Sequence, residues 1–253
     1  FFRDPAGVCP LDSPLSDDMQ LKIANENNLS ETAFLTSSSS DEADFDIRWF
    51  TPTDEVNLCG HATLASAHIV FEKLKPDWTK VTFHSRSGLL HVRKVENDNG
   101  HMLEMDFPVW PLALKDAKEY DFGFYPQEVY ESEDIVCVMD NENAVRDLVP
   151  DMNKLSSESS RCVIVTAPSD NGKYDFVSRV FCPAVGVPED PVTGSAHCAL
   201  TPFWSERLGK NELHARQISK RAGDLICRLS GDRVYISGKA AIYLEGTIYM
   251  EGS

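Results

Sequence analysis

The sequence predicts a mixed α+β protein made of two similar halves. Three observations carry that expectation. Short β-type runs outnumber helical ones by roughly two to one. They lack the regular βαβα alternation of a parallel doubly wound sheet. One motif also occurs twice, about half a chain apart: Glu55-Val56-Asn57-Leu58-Cys59-Gly60-His61-Ala62 and Glu189-Asp190-Pro191-Val192-Thr193-Gly194-Ser195-Ala196 share the frame E-x4-G-x-A.

Taken in order, residues 16–28 read as the first helix. Ser16 suits the N-cap, and Asp17 and Asp18 set negative charge against the helix N-terminus. The Ser-rich acidic run 36–46 reads as a loop leading to a strand at 47–50. Residues 60–75 are apolar on nearly every side (Ala62, Leu64, Ala65, Ala67, Ile69, Val70, Phe71), the pattern of a helix enclosed by its own domain. Strands follow at 81–84, 89–95 and 102–107. Pro108 and Pro111 around Trp110 then mark a break between an N-terminal half, 1–109, and a C-terminal half, 110–253.

The second half reads as a strand at 135–139, a helix at 143–155, a short polar loop at 156–161 and a strand at 162–167. The alternating run 174–181 fits a strand with one wet face. A helix at 194–208 and strands at 225–229, 234–237 and 241–250 complete it, the last expected to pack back on the N-terminal half. Pro202 lies inside the 194–208 helix. Its missing N–H is expected to kink the helix, with Thr201 biased away from helical angles.

Composition narrows the function. The 253 residues carry 24 Lys+Arg against 40 Asp+Glu, a formal charge of −16, and 42% are hydrophobic, enough for a substantial core. That surplus of negative charge, with no basic block, argues against nucleic-acid and anionic-membrane partners. No apolar run approaches the roughly 20 residues of a membrane span. Seven cysteines without a C-x-x-C pair suggest reduced thiols in a cytoplasmic setting. Asn28-Leu29-Ser30 fits a glycosylation sequon, read here as a chance match. The chain begins at Phe1 rather than methionine, which leaves room for a preceding segment, a targeting one included. No G-x-G-x-x-G or P-loop pattern implies a nucleotide cofactor. Cys59, His61, His68, His197 and Cys198 offer soft ligands without a four-ligand spacing, so no metal is expected.

The repeated motif carries the chemistry. A glycine lets backbone come close to a ligand, and the unpaired N–H groups of the following helical turn carry partial positive charge. Such a terminus binds carboxylate or phosphate. Two of them, at Gly60 and Gly194, would hold a small anion in a cleft edged by Glu55, Glu189 and Asp190. A carboxylate held beside a carbon acid suits proton abstraction and return by a desolvated carboxyl group, the chemistry of an isomerase or epimerase.

These residues resemble a known family. Thr51-Pro52-x-x-Glu55-x-x-x-Cys59-Gly60-His61-Ala62-Thr63, with Glu189-Asp190-Pro191-Val192-Thr193-Gly194-Ser195-Ala196-His197, is similar to the PhzF, or phenazine biosynthesis-like, family of the diaminopimelate epimerase-like fold. Asn28-Leu29-Ser30-Glu31-Thr32-Ala33-Phe34, Arg48-Trp49-Phe50 and Leu244-Glu245-Gly246-Thr247 extend the similarity along nearly the whole chain. The resemblance implies two pseudo-symmetric domains, each a curled mixed sheet around a central helix, in a homodimer. It implies Glu55 as general acid/base of a cofactor-independent proton shift, helped by His84, Asp190 and Ser195. Cys59, Gly60, His61 and Gly194 would touch the substrate.

The chain departs from the family at several places. No cysteine stands near Pro191 to partner Cys59, so two-thiol racemisation is disfavoured. Asp4 replaces the asparagine that often precedes the family's Pro-Ala pair. Bland roles stay open beside the catalytic ones: Glu55 as a surface carboxylate, Glu189 and Asp190 as helix caps, Ser195 bonding its own backbone, His84 as a strand histidine. Two other functions also remain open: a binding or regulatory protein acting through a protein partner, and an epimerase using Cys59 as its thiol.

Overall fold

The computed structural model describes residues 4–97, 100–159 and 161–249. The first half runs β1 (Ala6–Pro10), α1 (Asp17–Asn27), β2 (Glu31–Ser37), β3 (Phe45–Phe50), β4 (Glu55–Val56), α2 (Gly60–Ile69), β5 (Lys80–Ser85), β6 (Gly88–Asn97) and β7 (Gly100–Pro108). Ser16 caps α1 as its sequence foretells, its Oγ accepting from the Met19 N–H at 3.3 Å. Asn28, in the left-handed region at φ 49°, closes the helix with its N–H on Ala24 O. Ile23 and Ala24 on the inner side of α1 pack with Phe34 and Phe50 in a small core of their own. The expected 60–75 helix is present in two parts, α2 and a wider π-helical turn over Val70–Leu74.

The second half runs β8 (Ala113–Lys115), β9 (Glu128–Glu131), β10 (Ile135–Val138), α3 (Glu142–Arg146), α4 (Met152–Glu158), β11 (Val163–Pro168), β12 (Phe176–Cys182), β13 (Val187–Asp190), α5 (Ala196–Leu208), β14 (Glu212–Gln217), β15 (Gly223–Ser230) and β16 (Arg233–Gly238). The halves join through one ladder: β16 pairs antiparallel with β7, from Arg233 opposite Pro108 to Gly238 opposite Leu103. The result is a single large mixed sheet in the order β1-β2-β3-β5-β6-β7-β16-β15-β14-β12-β11-β10-β9-β8, with β4 and β13 as short branches on β3 and β12. One core crosses both halves, with Trp49, Phe71 and Phe83 from the first and Phe176, Leu200 and Leu213 from the second. Each such buried side chain contributes about 1.5–3 kcal/mol.

Four expectations are corrected. The 143–155 helix is two helices, because Pro150 lacks an N–H and restrains Val149; Asn141 caps the first and Asp151 the second. Helix α4 also takes in residues 156–158 of the loop expected at 156–161, whose residue 160 lies outside the described residues. The 241–250 strand is not formed over 241–249, and residue 250 lies outside the described residues. Alternation makes a strand only where a neighbouring edge completes the ladder, and β16 is the strand that returns to the first half. The segment still lies against that half, with Glu245 bonded to Lys73 at 2.8 Å and Ile248 and Tyr249 lining a groove beside Met19 and Ile23. Finally, Cys162 and Cys182, neighbours across β11 and β12, form a disulfide, contrary to seven reduced thiols.

Pro202 does not interrupt α5, which runs unbroken from Ala196 to Leu208. A residue at 202 would normally donate to Cys198 O, and that carbonyl instead accepts from the Trp110 N–H at 3.1 Å. Beside it His197 is fully buried, its Nδ1 on Thr193 O at 2.8 Å, and burial pushes its pKa down to about 4.

Two measurements check this architecture. Thiol titration of the denatured, unreduced protein is expected to give five thiols, rising to seven after reduction. Because His197 is lowered on folding from 6.5 to about 4, the unfolded chain binds its proton first, and stability falls as pH drops from 6.5 toward 4. In urea unfolding at pH 7 and 4.5, His197→Gln is expected to lose about 2–3 kcal/mol less than the unsubstituted protein over that interval. Equal losses would assign no such penalty to His197.

Candidate functional site

The N-termini of the two central helices meet. A Cβ built on Gly60 would stand 3.7 Å from Gly194 Cα, and one built on Gly194 would stand 3.9 Å from Gly60 Cα. Neither glycine has a positive φ, so what each supplies is room and not an unusual turn. The N-cap residues, Cys59 for α2 and Ser195 for α5, make no side-chain cap hydrogen bond. Two uncapped helix starts therefore face one another, each carrying partial positive charge.

One wall of this junction is rich in ionisable groups. Asp4 precedes β1, Glu31 opens β2, and Cys59 and His61 flank Gly60. His61 Nδ1 lies 3.1 Å from Asp4 Oδ2, and its Nε2 lies 3.1 Å from Glu31 Oε2. Neither oxygen receives a well-aligned hydrogen bond. Cys59 Sγ is 3.5 Å from His61 Nδ1. Burial raises Asp4 to about 6, against the pull of His61. Burial also pushes the Cys59 thiol up. For His61 burial alone would lower the pKa, but Cys59, Glu31 and Asp4 together hold it well above the ordinary value. Donor atoms of Glu31, Cys59 and His61 all lie within 4.8 Å of one another, the described cluster whose spacing could suit a metal ion.

The opposite wall is Asp190 and the turn after it. Thr193 Oγ1 donates to Asp190 Oδ2, and the buried Gln217 side chain clamps the turn, donating to Asp190 O at 2.7 Å and accepting from Thr193 N at 2.8 Å. Burial raises the Asp190 pKa, with Thr193 opposing.

Glu55 is held differently. Arg48 grips it through two bonds, Nε to Oε1 at 2.7 Å and Nη2 to Oε2 at 2.6 Å, and Arg86 adds an ion pair at 2.6 Å. It is thus an ion-paired carboxylate and not a carboxyl group in a dry pocket. Its counterpart in the repeat, Glu189, is gripped by Arg179 in the same bidentate way, at 2.7 and 3.0 Å. The repeat extends beyond the frame legible in sequence: in each half an arginine on the long strand, β3 or β12, holds the glutamate of the short branch strand, β4 or β13.

His84 is more than half exposed, with Nδ1 3.2 Å from Asp46 Oδ1, and no described hydrogen bond or ion pair joins it to Glu55 or the glycines. Two residues on, Arg86 makes that reach instead. The structure thus brings Cys59, Gly60, His61, Asp190, Gly194 and Ser195 to one junction, while Glu55, on β4, is held by Arg48 and Arg86. Sequence reasoning missed Glu31, Arg48, Arg86, Thr193 and Gln217 as parts of the site. An arginine on each strand preceding a repeated glutamate was the available signal for Arg48; nothing local marks Gln217.

Comparison with known proteins identifies the family. The profile of the phenazine biosynthesis-like protein family, PhzC-PhzF, matches residues 3–246. An uncharacterized isomerase of Pseudomonas aeruginosa is 47% identical over 253 residues, covering 99% of this chain and 94% of that protein. The Homo sapiens phenazine biosynthesis-like domain-containing protein is 39% identical, with 98% and 94% covered. A crystal structure of a PhzC/PhzF protein from Clostridium difficile superposes with a TM-score of 0.87 at 39% identity, over 98% of this chain and 93% of that one. With both repeats in place and the match spanning nearly its whole length, the chain belongs to the PhzC-PhzF, phenazine biosynthesis-like, family.

Proposed function

We propose that this protein is a cofactor-independent isomerase that shifts a proton on a small carboxylate-bearing substrate bound between the N-termini of α2 and α5. The observation that carries the proposal is the meeting of Gly60 and Gly194 between two uncapped helix starts. Similarity to proteins named isomerases supports the reaction class.

Proton transfer back and forth needs one group that accepts and one that donates. Carboxyl groups in unlike surroundings divide those roles. Glu55 sits as a carboxylate between two guanidinium groups and serves as the base. Asp190, raised by burial, serves as the acid partner. Arg86 is half exposed, so its ion pair with Glu55 is the more weakly held of the two. His61 and Ser195 border the same cleft and orient the substrate.

The repeat supplies an internal control. With a panel of small unsaturated and cyclic carboxylic acids in deuterated water, Glu55→Gln is expected to slow solvent-hydrogen incorporation at least about 100-fold. Glu189→Gln, which removes the matching carboxylate from its Arg179 pair, is expected to exchange at the normal rate while losing stability. If Glu55→Gln exchanges as fast as the unsubstituted protein, Glu55 is only the architectural twin of Glu189. Gly194→Ala separates folding from binding, because the added methyl meets only ordinary contact with Gly60 in the empty protein. Its melting temperature is expected to hold while substrate KM rises at least tenfold, and an unchanged KM would place the carboxylate elsewhere.

A further inference from the structure

We propose that Cys162 and Cys182 form a thiol–disulfide switch that sets how firmly β13, the strand carrying Glu189 and Asp190, is held. The proposal concerns the support of that wall and does not depend on the reaction proposed for it.

Placement is the first ground. The two cysteines face one another across β11 and β12, one step beyond the Val163–Phe181 pair, so their disulfide closes the ends of both strands. Each end leads to a different part of the molecule. On the β11 side Arg161 stands next in the chain, its Nε 2.8 Å from Asp134 Oδ1 and its guanidinium 5.2 Å from the centre of the Trp110 ring in the connection between the halves. The Cys162 carbonyl also accepts from the Ile135 N–H at 3.1 Å, which anchors β10. On the β12 side Cys182 starts a 3₁₀ turn over Pro183–Val185, from which the chain doubles back as β13. One bond thus ties the root of β13 to the strand that braces the inter-half connection.

The second ground is slack at that root. The ladder between β12 and β13 sets Cys182 opposite Val187 and Val180 opposite Asp190, with a register shift between them. Residues 184–188 are exposed, so little packing holds them. Arg179 grips Glu189 further along, which leaves the disulfide as the covalent hold on the near end. Packing is the third ground. Cys162 and Cys182 both lie in the core shared by the two halves. Two unbonded sulfurs cannot remain at bonding distance, and a close-packed interior passes the displacement to its neighbours. The irregular step between Val180 and Cys182 takes it up.

The opening step uses a thiol reductant of the glutathione class. Its thiolate attacks one sulfur and frees the other cysteine; a second reductant thiol then attacks the mixed disulfide and frees the first. The pair gains two electrons and two protons, and the reductant leaves as its own disulfide.

The test equilibrates the full chain with mixtures of reduced and oxidised glutathione, reads the pair by alkylation and mass spectrometry, and follows peptide-resolved hydrogen–deuterium exchange. The pair is expected to pass from closed to open between secretory-type and cytosol-type mixtures. Amides of residues 183–190 are expected to exchange at least about fivefold faster in the open form, while those of β15 and β16 keep their rates. The double variant Cys162→Ser with Cys182→Ser, which cannot close, is expected to match the open form in every mixture. Cys9→Ser, at a partly exposed free thiol, is expected to keep the full response. Circular dichroism separates a released β13 from a lost fold, and the opened unsubstituted protein gives the same reading without any substitution. A bond that stays closed in every mixture, a pair that never closes, or equal exchange of residues 183–190 in the two states overturns the switch. None of these readings uses substrate turnover, so this proposal and the proton shift can each fail alone.

Discussion

The β7–β16 ladder is the constraint on which the other features depend. Strands of the first half wrap α2 and strands of the second wrap α5. Pairing Arg233–Gly238 against Leu103–Pro108 fuses the half-sheets and fixes how the two helices are set against each other. A slip of one residue in that ladder would turn its buried side chains outward, Met105, Phe107, Val234 and Ile236 among them, so the hydrophobic core itself holds the register. The break at Trp110 tightens the same joint. Its backbone N–H occupies the Cys198 carbonyl that Pro202 leaves open, which ties the inter-half connection to the body of α5. A proline that breaks most helices here provides an acceptor for the linker.

Much of this was legible in the sequence, and the misses share a cause. Helix α1 followed from its capping residues, α2 from an all-round apolar run and α5 from the small, apolar segment that opens at the repeated glycine, all local signals. Strands β3, β5, β6, β7, β10, β11, β15 and β16 followed from short β-type runs, and β12 from alternation. The 241–249 segment is as β-type in composition and forms no strand, because a strand requires a partner as well as a pattern. The 143–155 stretch was periodic enough for one helix, and Pro150 overrode the periodicity. The Cys162–Cys182 pair was invisible because cysteine counting says nothing about which strands become neighbours. At the site the glycines and Asp190 were readable from the repeat. Glu31 and Gln217 were not, since each reaches the junction only through sheet topology.

Net charge illustrates the difference between global and local electrostatics. A chain at −16 should discourage an anionic ligand at long range. At physiological salt, however, screening acts over about 8 Å, so distant surface carboxylates count for little in a closing cleft. Nearby groups decide. Several acidic side chains around the junction are already engaged: Glu55 by Arg48 and Arg86, Glu189 by Arg179, and Asp190 by Thr193. The helix starts remain without side-chain caps. A small anion bound as proposed would meet the helix-start N–H groups at contact distance, where the global charge counts for little.

The pseudo-symmetry is most informative where it fails. Arginine, glutamate and glycine recur in both halves in the same spatial relation, so they belong to the architecture that any copy of the motif must build. Apart from the alanine two residues on, the residues around each glycine do not recur. The first half places Cys59 and His61 there and adds Asp4 and Glu31 from neighbouring strands, a wall of donors and charge. The second places Asp190 and Thr193 there and holds them with Gln217, a wall of fixed polar groups. A symmetric cleft would present the same chemistry to both faces of a bound molecule. Two unlike walls would distinguish the faces of a molecule bound between them. In the proposed reaction, the matched helix starts would hold the carboxylate and the unlike walls would present different groups to the reacting carbons.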